Sequence, residues 1–410
     1  MMKKRGELER DMTDPNHYGF ILPEELILLR DQIRRFMREE VKPIEDKLPH
    51  DATGCSPEDL EHLRAIAQDM GLTRMAVPDE YGGNPASALT QIIVAEESAK
   101  CRLGGYAPAL NAFKGGPPNV IWGGTAAQKE KYGVPCVEGN ANMFVAITEP
   151  TGGSDPRNNI TTRAEKRGDK WYLNGRKMWI TGAGLATYGI IFARTNDGEE
   201  GHPPQITAFI VEPDFPGITF NEIKVIRALS PWEIVLEDCE VPEENVLGGV
   251  GHGFGVAQNW LVNARVPYAA GCIGIAQEAL DMACGWVKQR PTRDGMLMDK
   301  QAIQWMIADS EVELKAARLL VYEAAARIDA GEPGKVDASI CKLYGTETAG
   351  RVVDRAIQMF GGMGVAQEMP LERWYRELRV KRIGEGPSEV HRMVIARDKL
   401  RNTDGGVYFG

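Results

Sequence analysis

Met143-Phe144-Val145-Ala146-Ile147-Thr148 is the stretch at which the sequence changes from helical to β periodicity. Its residues are apolar, aromatic or β-branched, which is typical of a strand with a buried face. Before this stretch apolar residues recur every three or four positions. After it, short runs of β-branched and aromatic residues are separated by turn residues. The chain therefore changes here from a helical segment to a β segment.

The segment before this stretch reads mainly as helices. Pro23 opens a helix whose apolar residues are spaced three or four apart. Ser56 followed by Pro57 is typical of an N-cap with proline at the first helical position. Residues 86–101 show the same apolar periodicity.

The segment after this stretch reads as strands. Asn174-Gly175 and Arg167-Gly168-Asp169 are turn signals between such runs. Further strands are predicted at residues 188–194, 205–211, 218–226 and 232–241. This is a β-domain of about 100 residues, the size of a small sandwich or barrel.

A glycine-rich segment, Gly248 to Gly255, ends the strands. It lacks the third glycine of a dinucleotide fingerprint and the lysine of a phosphate-binding P-loop. Long helices are predicted after it at residues 254–289, 299–330, 335–359 and 388–401. Four such helices pack most simply as an antiparallel bundle.

The predicted fold is therefore an α+β multi-domain protein. An N-terminal all-α domain occupies residues 1–140, a middle β-barrel or sandwich domain residues 141–250, and a C-terminal four-helix bundle residues 251–410.

Composition excludes several classes of function. The net charge of −10 gives no electrostatic support to a nucleic-acid partner. No apolar run is long enough to span a membrane, and the charged start lacks the apolar core of a signal peptide. The seven scattered cysteines predict free thiols in a reducing cytoplasm. No cluster has metal-ligand spacing, so no metal is expected.

Two motifs in the β segment could contact a flat polar ligand. Thr148 to Asp155 contains two adjacent glycines, and the hydroxyls of Thr148 and Ser154 flank them; an ordinary β-turn is the alternative. In Lys177 to Gly184, Trp179 could stack on a planar ring and Thr181 could bond its edge, although an isolated tryptophan is more often part of the core.

Two further motifs lie in the helical segment that follows. Gln358 to Gly364 holds a glycine cluster, which is a helix cap or a surface for a nucleotide. Glu385 lies between Gly384 and Gly386, so a carboxylate on a sharp turn could point into a cleft. A charged surface loop is the alternative for this last motif.

The order of these four motifs on an α–β–α framework resembles the acyl-CoA dehydrogenase family. The motifs are T-E-P-x-x-G-S-D, K-M-W-I-T, Q-x-x-G-G-x-G and E-G-x-S, and the resemblance covers about residues 20–400. The ending G-P-S-E-V-H is most similar to a subgroup that ends in D/E-G-P-x-E-V-H. The resemblance implies FAD as cofactor and an acyl-CoA thioester as substrate, which is oxidised to trans-2-enoyl-CoA.

The resemblance also implies a set of cofactor residues. The implied FAD contacts are Ala146, Ile147, Thr148, Ser154, Trp179, Ile180, Thr181, Arg290, Gln301, Gln358, Gly361, Gly362, Pro387 and Glu389. Those from Arg290 to Gly362 would serve the FAD of a neighbouring subunit. This sharing implies a homotetramer, built as a dimer of dimers. The resemblance also implies an electron-transfer flavoprotein as the electron acceptor.

Glu385 is the implied catalytic base. It would take the α-proton of the thioester while the flavin accepts a hydride. Some family members place the base one position before Arg265, but Ala264 cannot serve. The implied substrate contacts are Ser154, Asn263, Arg265, Gly386 and Arg397.

Three departures from the family pattern concern specificity and cofactor contacts. Gly384 replaces an aromatic residue and Pro387 a threonine, which predicts a wider pocket for a bulky acyl group. Residues 290–295 lack the aromatic residue expected there. An acyl-CoA oxidase and a catalytically silent acyl-CoA-binding relative are the alternative functions.

Overall fold

A computed structural model describes residues 22–198, 204–332 and 334–403. Contacts group these residues into two compact units. The helical unit contains residues 22–70, 86–112 and 262–403, and the sheet unit contains residues 71–85 and 113–261. The charged start of the chain lies outside the described residues.

The helical unit is built from eight helices in the described residues, the fourth of which enters it at residue 262. They are α1 Glu24–Phe36, α2 Pro57–Asp69, α3 Ala88–Ser98, α4 Gly253–Gln289, α5 Gln301–Asp329, α6 Lys335–Phe360, α7 Leu371–Lys381 and α8 Ser388–Arg401. A π-turn, Met37–Val41, and a short helix, Lys42–Glu45, extend α1. The hairpin of β9 Pro291–Thr292 and β10 Gly295–Met296 lies between α4 and α5.

Helix starts follow the signals in the sequence. The Ser56 side chain accepts a hydrogen bond from the Asp59 amide, and Pro57 is the first residue of α2, as predicted. At α3 the carboxylate of Asp329, from the end of α5, accepts from the amides of Ala88 and Leu89 at 2.6 and 3.0 Å. A negative charge at a helix N-terminus is favourable, so this contact fastens α5 to α3.

The four long C-terminal helices occur close to their predicted limits, but α7 was not predicted. Its sequence is rich in charge, and only a narrow stripe of Leu371, Trp374 and Leu378 gives it an apolar face. These three side chains are buried, and the Trp374 indole donates to the carbonyl of Cys101 at 2.9 Å. Packing against the segment that follows α3 therefore stabilises a helix whose high content of charged residues hides its apolar stripe in the sequence.

Helices α4 and α6 approach closely. A Cβ added to Gly345 of α6 would lie 3.1 Å from the Cβ of Ala269 on α4. Because these small residues let the helices approach, side chains one turn before the contact on each helix lie close together. These are Lys342, one turn before Gly345, and Arg265, one turn before Ala269. Both side chains reach the loop that carries Glu385.

The sheet unit is one sheet of eight strands in the described residues. The strands are β1 Met143–Ala146, β2 Arg163–Arg167, β3 Lys170–Thr181, β4 Tyr188–Asn196, β5 Gln205–Val211, β6 Ile218–Glu222, β7 Pro231–Pro242 and β8 Val246–Leu247. Their order is β6-β7-β3-β2-β4-β5-β8, and β1 pairs with β4 in parallel. Short helices lie at Ala126–Gln128, Val134–Val137 and Pro156–Asn159.

The sheet has a core on both faces. Along β4, Ile191 and Ala193 join one apolar cluster, and Ile190 and Phe192 join the other. The ring of Trp171 on β3 meets that of Phe209 on β5 at 5.4 Å between centroids, so the sheet curls to bring distant strands together. The predicted barrel or sandwich is consistent with this curvature.

The predicted turn at Asn174-Gly175 is wrong. These residues lie inside the single long strand β3, where the pairing with β7 shifts register between Leu173 and Gly175. A Cβ at Gly175 would lie 2.6 Å from Oγ1 of Thr162, just before β2, so glycine lets β3 pass close to Thr162 at this β-bulge with β7. The sequence signal for a hairpin and for a bulge is the same here.

Across the described residues, no helix combines the length and the apolar character that a membrane crossing requires.

Candidate active site

Glu385 lies in a strained loop between α7 and α8. Its φ is +56°, a left-handed value that non-glycine residues rarely adopt, and Gly386 follows with φ +99°. Left-handed backbone at a glutamate costs about 1–3 kcal/mol unless surrounding contacts impose it. Such strain at an acidic residue is typical of a functional site.

Two cations, the half-buried Arg265 and the fully buried Lys342, hold the carbonyls of this loop. Arg265 of α4 donates from Nε to the Glu385 carbonyl at 3.2 Å. Lys342 of α6 donates from Nζ to the carbonyls of Gly386 and Arg382 at 2.6 and 3.3 Å. The backbone is therefore fixed on both sides of Glu385.

Glu385 is half-buried, and one oxygen of its carboxylate is held out of water. Its Oε2 atom is buried and has no hydrogen-bond partner among the described residues. Burial raises the pKa of Glu385 above its usual range, against the opposing charges of Lys381, Arg265 and Lys342. A desolvated carboxylate with a raised pKa is suited to accept a proton near neutral pH.

His391 lies under the same loop. Its side chain is fully buried, and neither ring nitrogen has a partner in the described part of the chain. Burial, with the charges of Arg265 and Lys342, lowers the pKa of His391 to about 4, so the imidazole is neutral. A Cβ at Gly386 would lie 3.1 Å from His391 Nε2, so glycine is required at this close approach.

Tyr268 occupies the space beside Gly384. A Cβ at Gly384 would lie 3.2 Å from the Tyr268 hydroxyl oxygen. The Lys381 ammonium lies 4.1 Å from the centre of the Tyr268 ring, and the hydroxyl donates to the Lys381 carbonyl at 3.5 Å. An aromatic side chain from α4 therefore borders the position where an aromatic residue is missing. The wider pocket stays a prediction.

A second strained position lies in the sheet unit. Trp179 has φ +65° and is 52% exposed, and the β3–β7 pairing shifts register between Lys177 and Ile180. The bulge turns the indole outward, away from the core to which the adjacent Ile180 belongs. A large ring presented to solvent by a strained backbone is suited to stack on a flat ligand.

The bulge is fastened to the Thr148 loop. The Met178 amide donates to the Thr148 carbonyl at 2.9 Å. Beneath it, Lys177 donates to Glu149 at 2.7 Å, and both side chains are buried. Although burial alone would raise it, the Lys177 charge and hydrogen bonds from Thr161 and Thr162 lower the pKa of Glu149 to about 2. The two motifs of the β segment thus form one surface.

The predicted cofactor residues of this surface differ in accessibility. Thr181 and Ser154 are exposed, Thr148 and Ile147 are partly buried, and the side chains of Ala146 and Ile180 belong to the core. A Cβ at Gly153 would lie 2.8 Å from Thr148 Cγ2, so glycine keeps the loop flat against Thr148. A ligand could meet Ala146 and Ile180 only through backbone atoms.

The remaining cofactor candidates of the helical unit are exposed around the ends of α4 and α6. Trp286 and Phe360 stack with centroids 5.0 Å apart, and the Arg290 guanidinium lies 5.6 Å from the Trp286 ring. Exposed on this surface or near it are Arg290, Gln301, Gln358, Gly361 and Gly362. Exposed polar groups beside two glycines could bind a partner's nucleotide.

The other predicted residues are divided between helix α8, the Glu385 loop and helix α4. Pro387 is the N-cap residue of α8, while Glu389 and Arg397 are exposed along that helix. Arg265 and Gly386 lie together at the Glu385 loop. Asn263 lies on α4, and its side chain is outside the described part of the chain.

Profiles of one family match consecutive parts of the chain. They describe the acyl-CoA dehydrogenase N-terminal domain over residues 23–140, the middle domain over residues 145–239 and the C-terminal domain over residues 251–400. The chain belongs to the acyl-CoA dehydrogenase family. The predicted architecture of helices, β-domain and helices is confirmed.

Individual relatives agree with this family. Short-chain specific acyl-CoA dehydrogenase of Mus musculus mitochondria is 37% identical over 93% of this chain and 91% of that protein. A 3-(aryl)acrylate reductase of Clostridium sporogenes is 37% identical over 91% and 98%. The solved structure of butyryl-CoA dehydrogenase from Megasphaera elsdenii has 33% identity and a TM-score of 0.80, covering 94% of this chain and all of that chain. The protein is therefore an oxidoreductase of the acyl-CoA dehydrogenase family.

The flavin on which this family depends fits the residues present. The outward indole of Trp179 and the flat glycine loop against Thr148 provide a surface for a planar ring. Arg290 provides a charge suited to a phosphate.

The sequence did not indicate several of the residues that surround Glu385. Lys342, His391 and Tyr268 surround Glu385, but no role was assigned to them. A signal existed for Lys342, because it falls on the buried face of α6 with Ala338 and Gly345. A lysine on an apolar stripe is unusual enough to mark a site.

Proposed function

We propose that this protein is an FAD-dependent acyl-CoA dehydrogenase that converts an acyl-CoA thioester to trans-2-enoyl-CoA, with Glu385 as the base that removes the α-proton. The observation that carries this proposal is Glu385 itself, whose backbone is strained and whose carboxylate oxygen Oε2 is buried without a partner in the described residues. A weak carbon acid needs such a base close to it.

The residues of the loop have separate tasks in this proposal. Glu385 holds the α-proton after its transfer, and its raised pKa makes the protonated form accessible near neutral pH. Arg265 holds the Glu385 carbonyl and so fixes the backbone of Glu385, whose own N–H would donate to the thioester oxygen. FAD, when bound, supplies the acceptor for the β-hydride.

FAD would be held by two groups of residues. Thr148, Ser154, Trp179 and Thr181, with the backbone of Ala146, Ile147 and Ile180, would contact the ring. Arg290, Gln301, Gln358, Gly361 and Gly362 would bind the nucleotide half for a neighbouring subunit, and Pro387 and Glu389 complete the set. We propose a homotetramer for this reason. Ser154, Asn263, Gly386 and Arg397, with Arg265, are the proposed acyl-CoA contacts.

Two further features belong to the same proposal. An electron-transfer flavoprotein is the proposed acceptor, by resemblance to the family. The cytoplasm is the proposed location, because all seven cysteines are free thiols.

Anaerobic flavin bleaching tests the proposal. Purified protein is mixed with straight, branched, cyclic and aromatic acyl-CoAs, and loss of flavin absorbance is followed. Glu385→Gln should retain FAD but bleach about 10²- to 10⁴-fold more slowly with the best substrate. Glu311→Gln, an exposed glutamate on α5, is the matched control and should bleach at the wild-type rate. Undiminished bleaching by Glu385→Gln would remove Glu385 from the role of base.

A second candidate function is the reverse reaction, the reduction of an unsaturated substrate. One relative is named a 3-(aryl)acrylate reductase, which favours reduction of an unsaturated aromatic acid or its thioester. Chemically reduced protein is therefore offered cinnamate, cinnamoyl-CoA or crotonyl-CoA. Flavin reoxidation by an aryl substrate, without bleaching by any saturated acyl-CoA, would favour the reductase.

A further inference from the structure

Lys342 occupies a position where an apolar residue is expected. Its side chain is fully buried on the face of α6 that also carries Ala338, Cys341 and Gly345. Burial of an ammonium costs several kcal/mol unless polar contacts compensate. Methionine would fill a similar volume without that cost, so the contribution of Lys342 lies in what its ammonium contacts.

Those contacts are backbone carbonyls on both sides of Glu385. Nζ donates to Gly386 at 2.6 Å and to Arg382 at 3.3 Å. No carboxylate of the described residues lies within ion-pair distance of it, and Glu347 on the same helix pairs with Arg382 instead. Burial lowers the pKa of Lys342 to about 8, which leaves it protonated at neutral pH.

We propose that Lys342 is a positioning residue, which fixes the left-handed backbone of Glu385 by holding the carbonyls that flank it and so keeps the catalytic carboxylate in register with the substrate. This inference rests on the proposed role of Glu385 as base. Arg265 holds the intervening carbonyl, so the loop has an anchor at each of three positions.

Lys342 also acts through its charge. A cation near a carboxylate lowers that carboxylate's proton affinity, which opposes the effect of burial on Glu385. The other titratable or charged groups that act on this pair are Arg265 and Cys272 on α4, Glu347 on α6, Lys381 at the end of α7 and His391 on α8. A substitution at position 342 therefore has a geometric and an electrostatic consequence.

Three variants separate these consequences. Lys342→Met removes both donor and charge, Lys342→Gln removes the charge but keeps a donor, and Lys342→Arg keeps both in a larger group. Lys335→Met changes an exposed lysine of the same helix and is the control. All are compared as FAD-loaded protein at equal flavin content.

The first measurement is the exchange of backbone amides, which does not depend on turnover. In Lys342→Met we expect faster hydrogen–deuterium exchange over residues 382–388 and unchanged exchange over the sheet unit. Turnover should fall about 100-fold with KM little changed, because a displacement of about 1 Å of a reacting group has this effect. Solvent deuterium should also enter the α-carbon of a bound, non-oxidisable acyl-CoA analogue more slowly.

The second measurement is the pH dependence of kcat/KM. Loss of the Lys342 charge raises the pKa of Glu385 further, so the acidic limb should move to higher pH in Lys342→Met and Lys342→Gln. Lys342→Arg should restore its position, and Lys342→Gln should retain more of the loop protection than Lys342→Met.

The outcomes distinguish this inference from the proposed function. Wild-type exchange, turnover and acidic limb in Lys342→Met would overturn the inference alone, provided that Glu385→Gln is inactive. Should Lys342→Met fail to fold, Lys342→Gln decides: an unshifted acidic limb with wild-type turnover overturns the inference. Activity in Glu385→Gln would instead overturn the proposed function.

Discussion

Glu385 in the helical unit and Trp179 in the sheet unit are both non-glycine residues with left-handed backbone, and a buried lysine supports each of them. The two lysines differ in how their charge is balanced. Lys177 pairs with the buried carboxylate of Glu149 at 2.7 Å. Lys342 contacts backbone carbonyls and retains its charge beside Glu385.

This difference separates a structural support from one that can act on chemistry. At Trp179 the backbone has to present a ring, and the buried Lys177–Glu149 ion pair, whose charges compensate each other, joins strand β3 to the Thr148 loop. At Glu385 the backbone has to present a carboxylate whose proton affinity matters. An unneutralised cation can adjust that affinity while it fixes the loop.

The largest expected effect that tests the comparison is at Lys177. Lys177→Met leaves the Glu149 carboxylate buried and unpaired, so we expect a loss of about 3–5 kcal/mol in the free energy of unfolding. The double variant Lys177→Met, Glu149→Leu should recover part of that loss, because no buried charge remains. Urea unfolding followed by tryptophan fluorescence measures both.

A matched control for this prediction lies on the same strand. Lys170 is exposed and pairs with Glu240, so Lys170→Met should leave the unfolding midpoint unchanged. If the double variant were as unstable as Lys177→Met alone, Glu149 and Lys177 would not act as a neutral pair.

The next effect is the dependence of folding stability on pH, which we expect to come from His391 under the Glu385 loop. His391 has a folded-state pKa of about 4 against an ordinary value of 6.5, so the unfolded chain binds more protons between these values. Stability should therefore fall as pH drops from 6.5 towards 4, by about 3 kcal/mol in total. His391→Leu should flatten this decline in unfolding experiments across that range.

His391→Leu has to be compared with the wild-type protein because protonation of Glu385 changes the stability in the opposite direction. Its raised pKa makes the folded protein bind more protons, which adds stability as pH falls. His62→Gln, at an exposed histidine of α2, is the control.

The Glu149–Lys177 pair stays charged across this pH range, so amide exchange in the sheet unit should respond less to pH than amide exchange in the Glu385 loop. Equal responses in both regions would contradict this.

The smallest expected effect concerns the space beside Glu385. Gly384→Ala places a methyl group 3.2 Å from the Tyr268 hydroxyl oxygen, which should cost about 1 kcal/mol. Tyr268→Phe removes that oxygen, so the cost of Gly384→Ala should shrink in the double variant. Thermal unfolding and the preference among acyl-CoAs measure this coupling, and strictly additive effects would show that Tyr268 does not set the space.

Much of the architecture followed from the sequence. The switch at residues 143–148, the cap at Ser56 and the limits of the long helices are local signals, and the structure agrees with them. Asn174-Gly175 was misread because a bulge and a hairpin use the same residues. Helix α7 was missed because its apolar stripe is narrow and its stability comes from packing.

For the candidate site, the sequence by itself determined the family and the position of the proposed base, because glycines on both sides of Glu385 and the order of the motifs are local features. It could not determine what surrounds Glu385. Lys342, Tyr268 and His391 come from three different helices, and their distances depend on the close approach of α6 to α4. The strain at Glu385 and its raised pKa depend on burial, which arises only when those helices pack around the loop.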